Sequence, residues 1–368
     1  MYARLLRPLL FLLPPAVAHD VAMAGLGPVE FIAPLRSLVR HLSTVRDARL
    51  EVKRMGLTFP SPVGLAGGFD KNARRARAIA ALGFGHVELG TVTAEAQEPN
   101  PSPNLFRLPA DRALINRLGF PNEGAGRVVS RLEARGGKKA IGVPVGLSIG
   151  KSRSVPVDEV DRVVADYVSS FRAVEKAADF VVVNVSSPNT ENLRSLQGPG
   201  LARILLQALL DERRRSRGNP ALPLLLKIAP DLSDAGLEEL LAVVDETKID
   251  GVVATNTTTS RAGLRTDPVD VGRMGAGGLS GPPLRARSLA IVRRVRDRLG
   301  PGATVIGVGG VETGTDALAL LGAGADLVQL YTSFIYRGPW TATMIATELR
   351  RELDRRNASS LRELAARR

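Results

Sequence analysis

Val181-Val182-Val183-Asn184-Val185-Ser186-Ser187-Pro188-Asn189-Thr190 is an apolar run that breaks off into amides and hydroxyls. The valines read as a strand buried on both faces, the pattern of a parallel sheet. Strand packing has no use for the polar ending, so the ending faces something else. In folds of alternating strands and helices the carboxyl ends of the strands carry the chemistry. Residues 184–190 are therefore the first candidate site.

Outward from this stretch the same unit recurs. Short β-branched or apolar runs fall at residues 62–66, 85–90, 141–149, 180–184, 222–228, 251–255, 304–307 and 326–330, and helical patterns lie between them at 158–176, 233–247, 284–299 and 315–323. Eight strands in this rhythm predict an α/β fold, a (β/α)8 TIM barrel, better than a six-stranded doubly wound sheet. The barrel is expected to fill residues 45–368. Glu98-Pro99-Asn100-Pro101-Ser102-Pro103-Asn104 through Phe120 is too long for a plain strand-to-helix loop and reads as an excursion over the barrel mouth.

The first 44 residues form a separate helical unit in this reading. Arg4 and Arg7 precede Leu9-Leu10-Phe11-Leu12-Leu13, and a second amphipathic piece follows with Phe31, Ile32, Leu35, Leu38 and Val39 beside Arg36 and Arg40. Two short helices with basic faces suit a segment that lies on a membrane surface. A run of about eighteen apolar residues, which a spanning helix needs, is absent. A secretory signal ending near Ala16-Val17-Ala18 and helices that merely cap the barrel are the competing readings.

Composition narrows the chemistry. The 368 residues include no cysteine and three histidines, His19, His41 and His86, which removes thiolate metal sites, disulfides and a cysteine nucleophile and leaves no set for a histidine metal cluster or a Ser-His-Asp triad. No metal is expected. The net charge of +13 is spread over helical segments such as Arg293-Arg294-Val295-Arg296, and aromatic residues at 4% supply no stacking platform, so no nucleic-acid partner is expected.

Nearly every predicted strand ends in a residue able to touch a ligand. The endings are Gly67-Gly68-Phe69-Asp70-Lys71-Asn72, Gly90-Thr91, Ser148, then Asn184 with Ser187 and Asn189, Lys227, Thr255-Asn256-Thr257, Gly307-Val308-Gly309-Gly310 and Tyr331-Thr332. Glycines and hydroxyls after the last two strands are where such barrels hold a phosphate. Lys227 lies between Leu226 and Ile228, where an ammonium needs a negative partner, either a bound ligand or a carboxylate on a neighbouring strand.

Taken together, Leu65-Ala66-Gly67-Gly68-Phe69-Asp70-Lys71, Gly90-Thr91-Val92-Thr93, Leu114-Ile115-Asn116-Arg117-Leu118-Gly119-Phe120, Asn184 to Thr190, Thr255-Asn256-Thr257, Gly277-Gly278-Leu279-Ser280-Gly281 and Ile306-Gly307-Val308-Gly309-Gly310 resemble the class 2, quinone-dependent dihydroorotate dehydrogenases. The resemblance spans nearly the whole chain. It implies an FMN enzyme of pyrimidine biosynthesis that oxidises (S)-dihydroorotate to orotate and passes electrons to a membrane quinone. It also implies a monomer held peripherally on the cytoplasmic face of the cell membrane.

Residue by residue, the resemblance makes Ser187 the catalytic base. It places Lys71, Asn116, Asn184, Asn189, Asn256 and Thr257 around the substrate, with Arg117, Leu118, Gly119 and Phe120 as a lid strand. It assigns flavin contacts to Ala66, Gly67, Gly68, Phe69, Asp70, Thr91, Ser148, Asn184, Lys227, Thr255, Gly281, Gly310, Tyr331 and Thr332. His19 and Arg107 match positions near the quinone tunnel. Three serines, Ser148, Ser152 and Ser195, stand where such enzymes usually carry asparagine, and a hydroxyl replaces only one of an amide's hydrogen bonds. The alternatives are a class 1-like enzyme with a soluble acceptor and a flavin-free barrel that binds a phosphorylated ligand.

Overall fold

Eight parallel strands close on themselves: β1 (Val63–Leu65), β2 (His86–Val92), β3 (Val145–Ile149), β4 (Phe180–Asn184), β5 (Leu224–Ile228), β6 (Gly251–Ala254), β7 (Thr304–Val308) and β8 (Leu327–Leu330). Each pairs with its successor, and β8 returns to β1. The computed structural model describes residues 2–216 and 218–366. Side chains alternate as strand geometry requires. Phe180, Val182, Leu225, Val253, Ile306 and Leu327 fill the barrel axis, whereas Val181, Val183, Leu224 and Leu226 pack outward against the helices. Phe59, from the antiparallel hairpin of Val52–Arg54 and Leu57–Phe59, closes the bottom of the axis.

The predicted strands are present, several of them shorter. The third starts at Val145 rather than residue 141, because Gly142 adopts φ +81, a left-handed turn conformation, and Pro144 has no N–H to donate. Asp326 stands just before β8, its N–H donating to Val305 O at 2.8 Å while its carboxylate accepts from Val305 N at 2.9 Å and pairs with Arg54 and Arg296. The helices run Val160–Val174, Asp234–Thr247, Arg285–Leu299 and Gly314–Gly322. Ser233 caps the second through Gly236 N, and Thr313 with Asp316 forms a capping box on the last.

Where two N-terminal helices were expected there are four short ones: α1 (Arg7–Leu12), α2 (Pro15–Gly25), α3 (Gly27–Phe31) and α4 (Ala33–Ser43), preceded by a π-helical turn, Tyr2–Leu6. Prolines at Pro8, Pro15, Pro28 and Pro34, within the first two positions of each, set these starts. No single helix among the described residues is long and apolar enough to cross a membrane, and the α2–α3 run meets α4 at a 106° bend. Leu5, Leu9, Leu12, Val21, Phe31, Leu38 and Leu42 are exposed, a density of apolar surface found nowhere else on the described chain. The unit is pinned to the barrel by Glu30, which is buried and accepts from Arg77 Nε and Ala78 N, both at 2.9 Å.

The excursion at 98–120 folds into a hairpin, Leu105–Leu108 with Ala113–Asn116, and Gly278–Ser280 joins it as the third strand. One face of this small sheet packs Leu108, Ala113, Ile115 and Leu279 on Val271. The other turns Leu105, Leu114 and Asn116 down over the barrel mouth.

Candidate active site

Under that sheet, at the carboxyl ends of the strands, lies a cavity of about 1120 Å³ counting its open mouth. Its wall brings together Ala66, Gly67, Gly68, Lys71, Thr91, Asn116, Leu118, Gly119, Phe120, Asn184, Ser187, Asn189, Lys227, Thr255, Asn256, Thr257, Gly281, Gly310, Tyr331 and Thr332, from all parts of the chain. A second, apolar cavity of about 1500 Å³ lies between α1, α2 and the barrel, lined by Leu6, Leu10, Phe11, Ala18, His19, Leu82, Arg107, Phe334 and Ile335 among others. Lys71, Leu105, Leu114, Leu118 and Tyr331 line both.

Asn184 is the hub of the polar wall. Its Nδ2 donates to Thr91 Oγ1 at 2.9 Å, its carbonyl accepts from the Tyr167 hydroxyl at 2.9 Å, and its Oδ1 accepts from Ser186. Asn256 Nδ2 donates to Ser186 Oγ at 3.0 Å, and Asn189 Nδ2 to Asn116 Oδ1 at 2.9 Å, which links the β4 loop to the small sheet. These bonds hold the amides at fixed angles with edges left for a ligand. Asn189 Oδ1 is buried with no hydrogen-bond partner among the described residues.

Ser187 Oγ accepts from Asn189 N at 3.2 Å. Among the described residues no imidazole, carboxylate or ammonium hydrogen-bonds to it. Lys71 Nζ donates to Gly68 O at 2.7 Å, and burial lowers its pKa from 10.5 to about 8. Tyr331 stands in the shared wall with its phenol pushed up to about 12 by burial.

Other expected residues stand behind the wall or outside it. Ser148 is fully buried, its hydroxyl 2.9 Å from Thr91 Oγ1, so it braces a wall residue. Phe69 lines the apolar cavity and stacks edge-on with His19 at 5.0 Å. Asp70 turns away and accepts from Arg74 N and Arg75 N at 2.8 and 2.7 Å; burial raises its carboxyl pKa. The Arg117 guanidinium leaves the lid for the carbonyls of Pro103 and Met274. Ser152 is a buried scaffold residue donating to Asp166 at 2.6 Å, and Ser195 donates to Asn192 O at 2.8 Å on the surface.

In the apolar cavity Arg107 donates to Leu13 O at 2.9 Å and lies 4.4 Å from the Phe11 ring centre. Burial, with the Lys71 charge nearby, lowers the His19 pKa to about 4, so its ring is neutral near pH 7.

Glu88 and Gln329 were not expected. Glu88 Oε1 accepts from Lys227 Nζ at 2.9 Å across the barrel, and Gln329, fully buried in the cavity wall, has neither amide atom paired among the described residues. Lys227 thus answers to a carboxylate and to the cavity at once. In sequence both newcomers are polar residues inside apolar strand runs, His86-Val87-Glu88-Leu89 and Leu327-Val328-Gln329-Leu330, the same signal that singled out Lys227. Arg194 was missed too. It clamps the Ser187 loop by donating to Ser186 O at 3.1 Å and Thr257 O at 3.0 Å while paired with Asp231. Among the described residues no cluster of His, Asp or Glu is placed to hold a metal.

Comparison with known proteins agrees with this architecture. The family model described as dihydroorotate dehydrogenase matches residues 49–353. A protein of Thermobifida fusca named dihydroorotate dehydrogenase (quinone) is 50% identical over 325 residues, 88% of this chain and 84% of its own. One of the same name from Nocardia farcinica is 47% identical over 363 residues, 99% of this chain and 96% of its own. The solved structure of the Eimeria tenella enzyme with ferulenol superposes with a TM-score of 0.82 at 34% identity, covering 95% of this chain and 94% of that one. With a closed barrel, a polar site at its mouth and sequence identity this extensive, the chain belongs to the dihydroorotate dehydrogenase family.

Proposed function

We propose that this protein oxidises (S)-dihydroorotate to orotate at the polar cavity, with FMN as hydride acceptor, and delivers the electrons to a membrane quinone entering through the apolar cavity, within pyrimidine biosynthesis. The observation that carries the reading is the shared wall: two cavities of opposite polarity meet at Lys71, Leu105, Leu114, Leu118 and Tyr331.

The wall suits a flat heteroaromatic cofactor. Gln329 presents a buried amide whose donor and acceptor are unspent among the described residues, Lys227 presents a cation, and Ala66, Gly67 and Gly68 present backbone without bulk. Thr91, Asn184, Thr255, Tyr331 and Thr332 would complete the ring contacts. The backbone near Gly281 and Gly310, with the Thr332 hydroxyl 2.8 Å from Ser280 Oγ, suits the phosphate. When bound, FMN supplies a two-electron couple that accepts hydride.

The chain's own part is orientation and proton handling. The Lys71 ammonium binds the substrate carboxylate, and Asn116, Asn189 and Asn256 read the pyrimidinedione with their paired donors and acceptors. Ser187 Oγ takes the C5 proton. Because no base among the described residues touches that hydroxyl, the proton passes on to water, and Asn189 N–H steadies the oxygen that loses it.

Residues 1–44 serve as the quinone-access and membrane segment, and residues 45–368 as the catalytic barrel. The exposed leucines and phenylalanine of the N-terminal unit, with the exposed Arg4, favour peripheral attachment at the cytoplasmic face of the cell membrane, whereas Arg36 and Arg40, expected on a basic face, donate to the carbonyls of Glu30 and Ile141 at 2.8 Å. His19 and Arg107 meet the quinone head. We assign the working unit as a monomer with no nucleic-acid partner. The test is anaerobic mixing of the yellow protein with dihydroorotate, followed by a soluble quinone. Bleaching and then recovery of the flavin band is expected; a yellow protein that does not bleach overturns the substrate.

A further inference from the structure

The Lys227–Glu88 pair does not belong to the sheet that carries it. Lys227 is on β5 and Glu88 on β2, with β3 and β4 between them, so the 2.9 Å contact spans the barrel interior. Backbone ladders already close the barrel, and a buried ion pair is weak support for stability because desolvation cancels much of its attraction. The side chains are 6% and 0% exposed, so water screens little of their charge. The barrel also makes room for the carboxylate: a Cβ on Gly67 would lie 2.3 Å from Glu88 Oε1. Gly67 lines the polar cavity and Glu88 does not, which puts the carboxylate immediately beneath the glycine floor.

We propose that Glu88 is a positioning residue: it fixes the Lys227 ammonium in the cavity floor and sets the charge that this floor presents to the cofactor. The assignment rests on the FMN reading above. With the carboxylate in place the Lys227–Glu88 pair under the floor carries one positive and one negative charge and is neutral overall. A flavin becomes more negative on reduction, so a floor with an uncompensated ammonium favours the reduced form, and the neutral floor keeps the potential low enough for a quinone to reoxidise it. Glu88 thereby trades ease of reduction by dihydroorotate for ease of electron release.

Glu88→Gln retains an amide oxygen that accepts from Lys227 and removes the charge. In the purified holoenzyme its flavin midpoint potential should rise by about 30 mV, a tenfold stabilisation of the reduced form for a two-electron couple. Sulfite, an anion that adds to oxidised flavins, should bind about tenfold more tightly by titration of the flavin band. Reoxidation by a soluble quinone should slow while bleaching by dihydroorotate does not. An unchanged potential together with unchanged sulfite affinity overturns the assignment and leaves the pair structural. If Glu88→Gln does not retain flavin, Glu88→Asp carries the test, since it keeps the charge and withdraws it by one methylene. A smaller rise in the same direction supports the proposal, and no rise overturns it. A colourless unaltered protein overturns the FMN reading as well, whereas a yellow one whose potential ignores Glu88 overturns this inference alone.

Discussion

The two cavities differ in how their walls are assembled. The polar one is built at the ends of the barrel strands, from residues that the barrel's own ladder places within a few ångströms of one another. The apolar one is half borrowed: Phe334 and Ile335 come from the barrel, while Leu6, Leu10, Phe11 and Ala18 come from helices attached to it by a few anchors. Orienting amides toward a small polar substrate needs the first kind of wall, whose hydrogen bonds leave little freedom. Admitting a long apolar molecule suits the second, whose parts have separate attachments.

Four perturbations test this contrast. Ser187→Ala should slow flavin reduction by dihydroorotate by about 10²- to 10⁴-fold, the range for losing a general base, while quinone reoxidation keeps its rate in stopped flow. Equal losses in both half-reactions would mean the two sites are not separable. Next in size, Glu30→Ala removes the carboxylate under Arg77 and Ala78 and should cost on the order of 3 kcal/mol of docking of the N-terminal unit. Hydrogen exchange should then rise in α1 to α4 and not in the barrel strands, and quinone turnover should fall while dye reduction survives.

The pH dependence is specific to the polar side. Burial holds Lys71 near 8, below an ordinary lysine, so its proton leaves at a lower pH, and the substrate carboxylate proposed to bind there loses its cation as pH rises through that value. The KM for dihydroorotate should therefore be flat below pH 8 and rise about tenfold per unit above it. The quinone KM should not follow, because His19, held near 4, stays neutral across that range. The smallest effect is expected from Phe11→Leu, which removes the ring 4.4 Å from the Arg107 guanidinium, a contact worth about 0.5–1 kcal/mol. It should raise the quinone KM about two- to fivefold and leave dihydroorotate kinetics alone.

The same contrast explains what the sequence made legible. β4 is found where Val181 to Asn184 predicted it, because its pattern is local, and most wall residues of the polar cavity were named from strand ends. The pairs that cross the fold were not legible. Glu88 and Lys227 are 139 residues apart, and the third strand of the lid sheet joins Asn116 to Gly278 across 162 residues. Neither shows a periodicity that a window of sequence can hold. The four N-terminal helices fall between these cases: their prolines were visible, but a short helix is decided by the barrel surface it lies on.

The common partition of Lys71, Leu105, Leu114, Leu118 and Tyr331 has a consequence for steady-state behaviour. Substrates that used one cavity in turn would exclude each other, and each would inhibit competitively against the other at high concentration. With a partition between two chambers, and with the ligands assigned to them as proposed, the oxidised pyrimidine can still occupy its chamber when the lipid-soluble acceptor enters the other. A compound that plugs the apolar chamber should then be competitive against the acceptor and show a different pattern against the pyrimidine, so two unrelated chemical series can inhibit this protein together on one molecule.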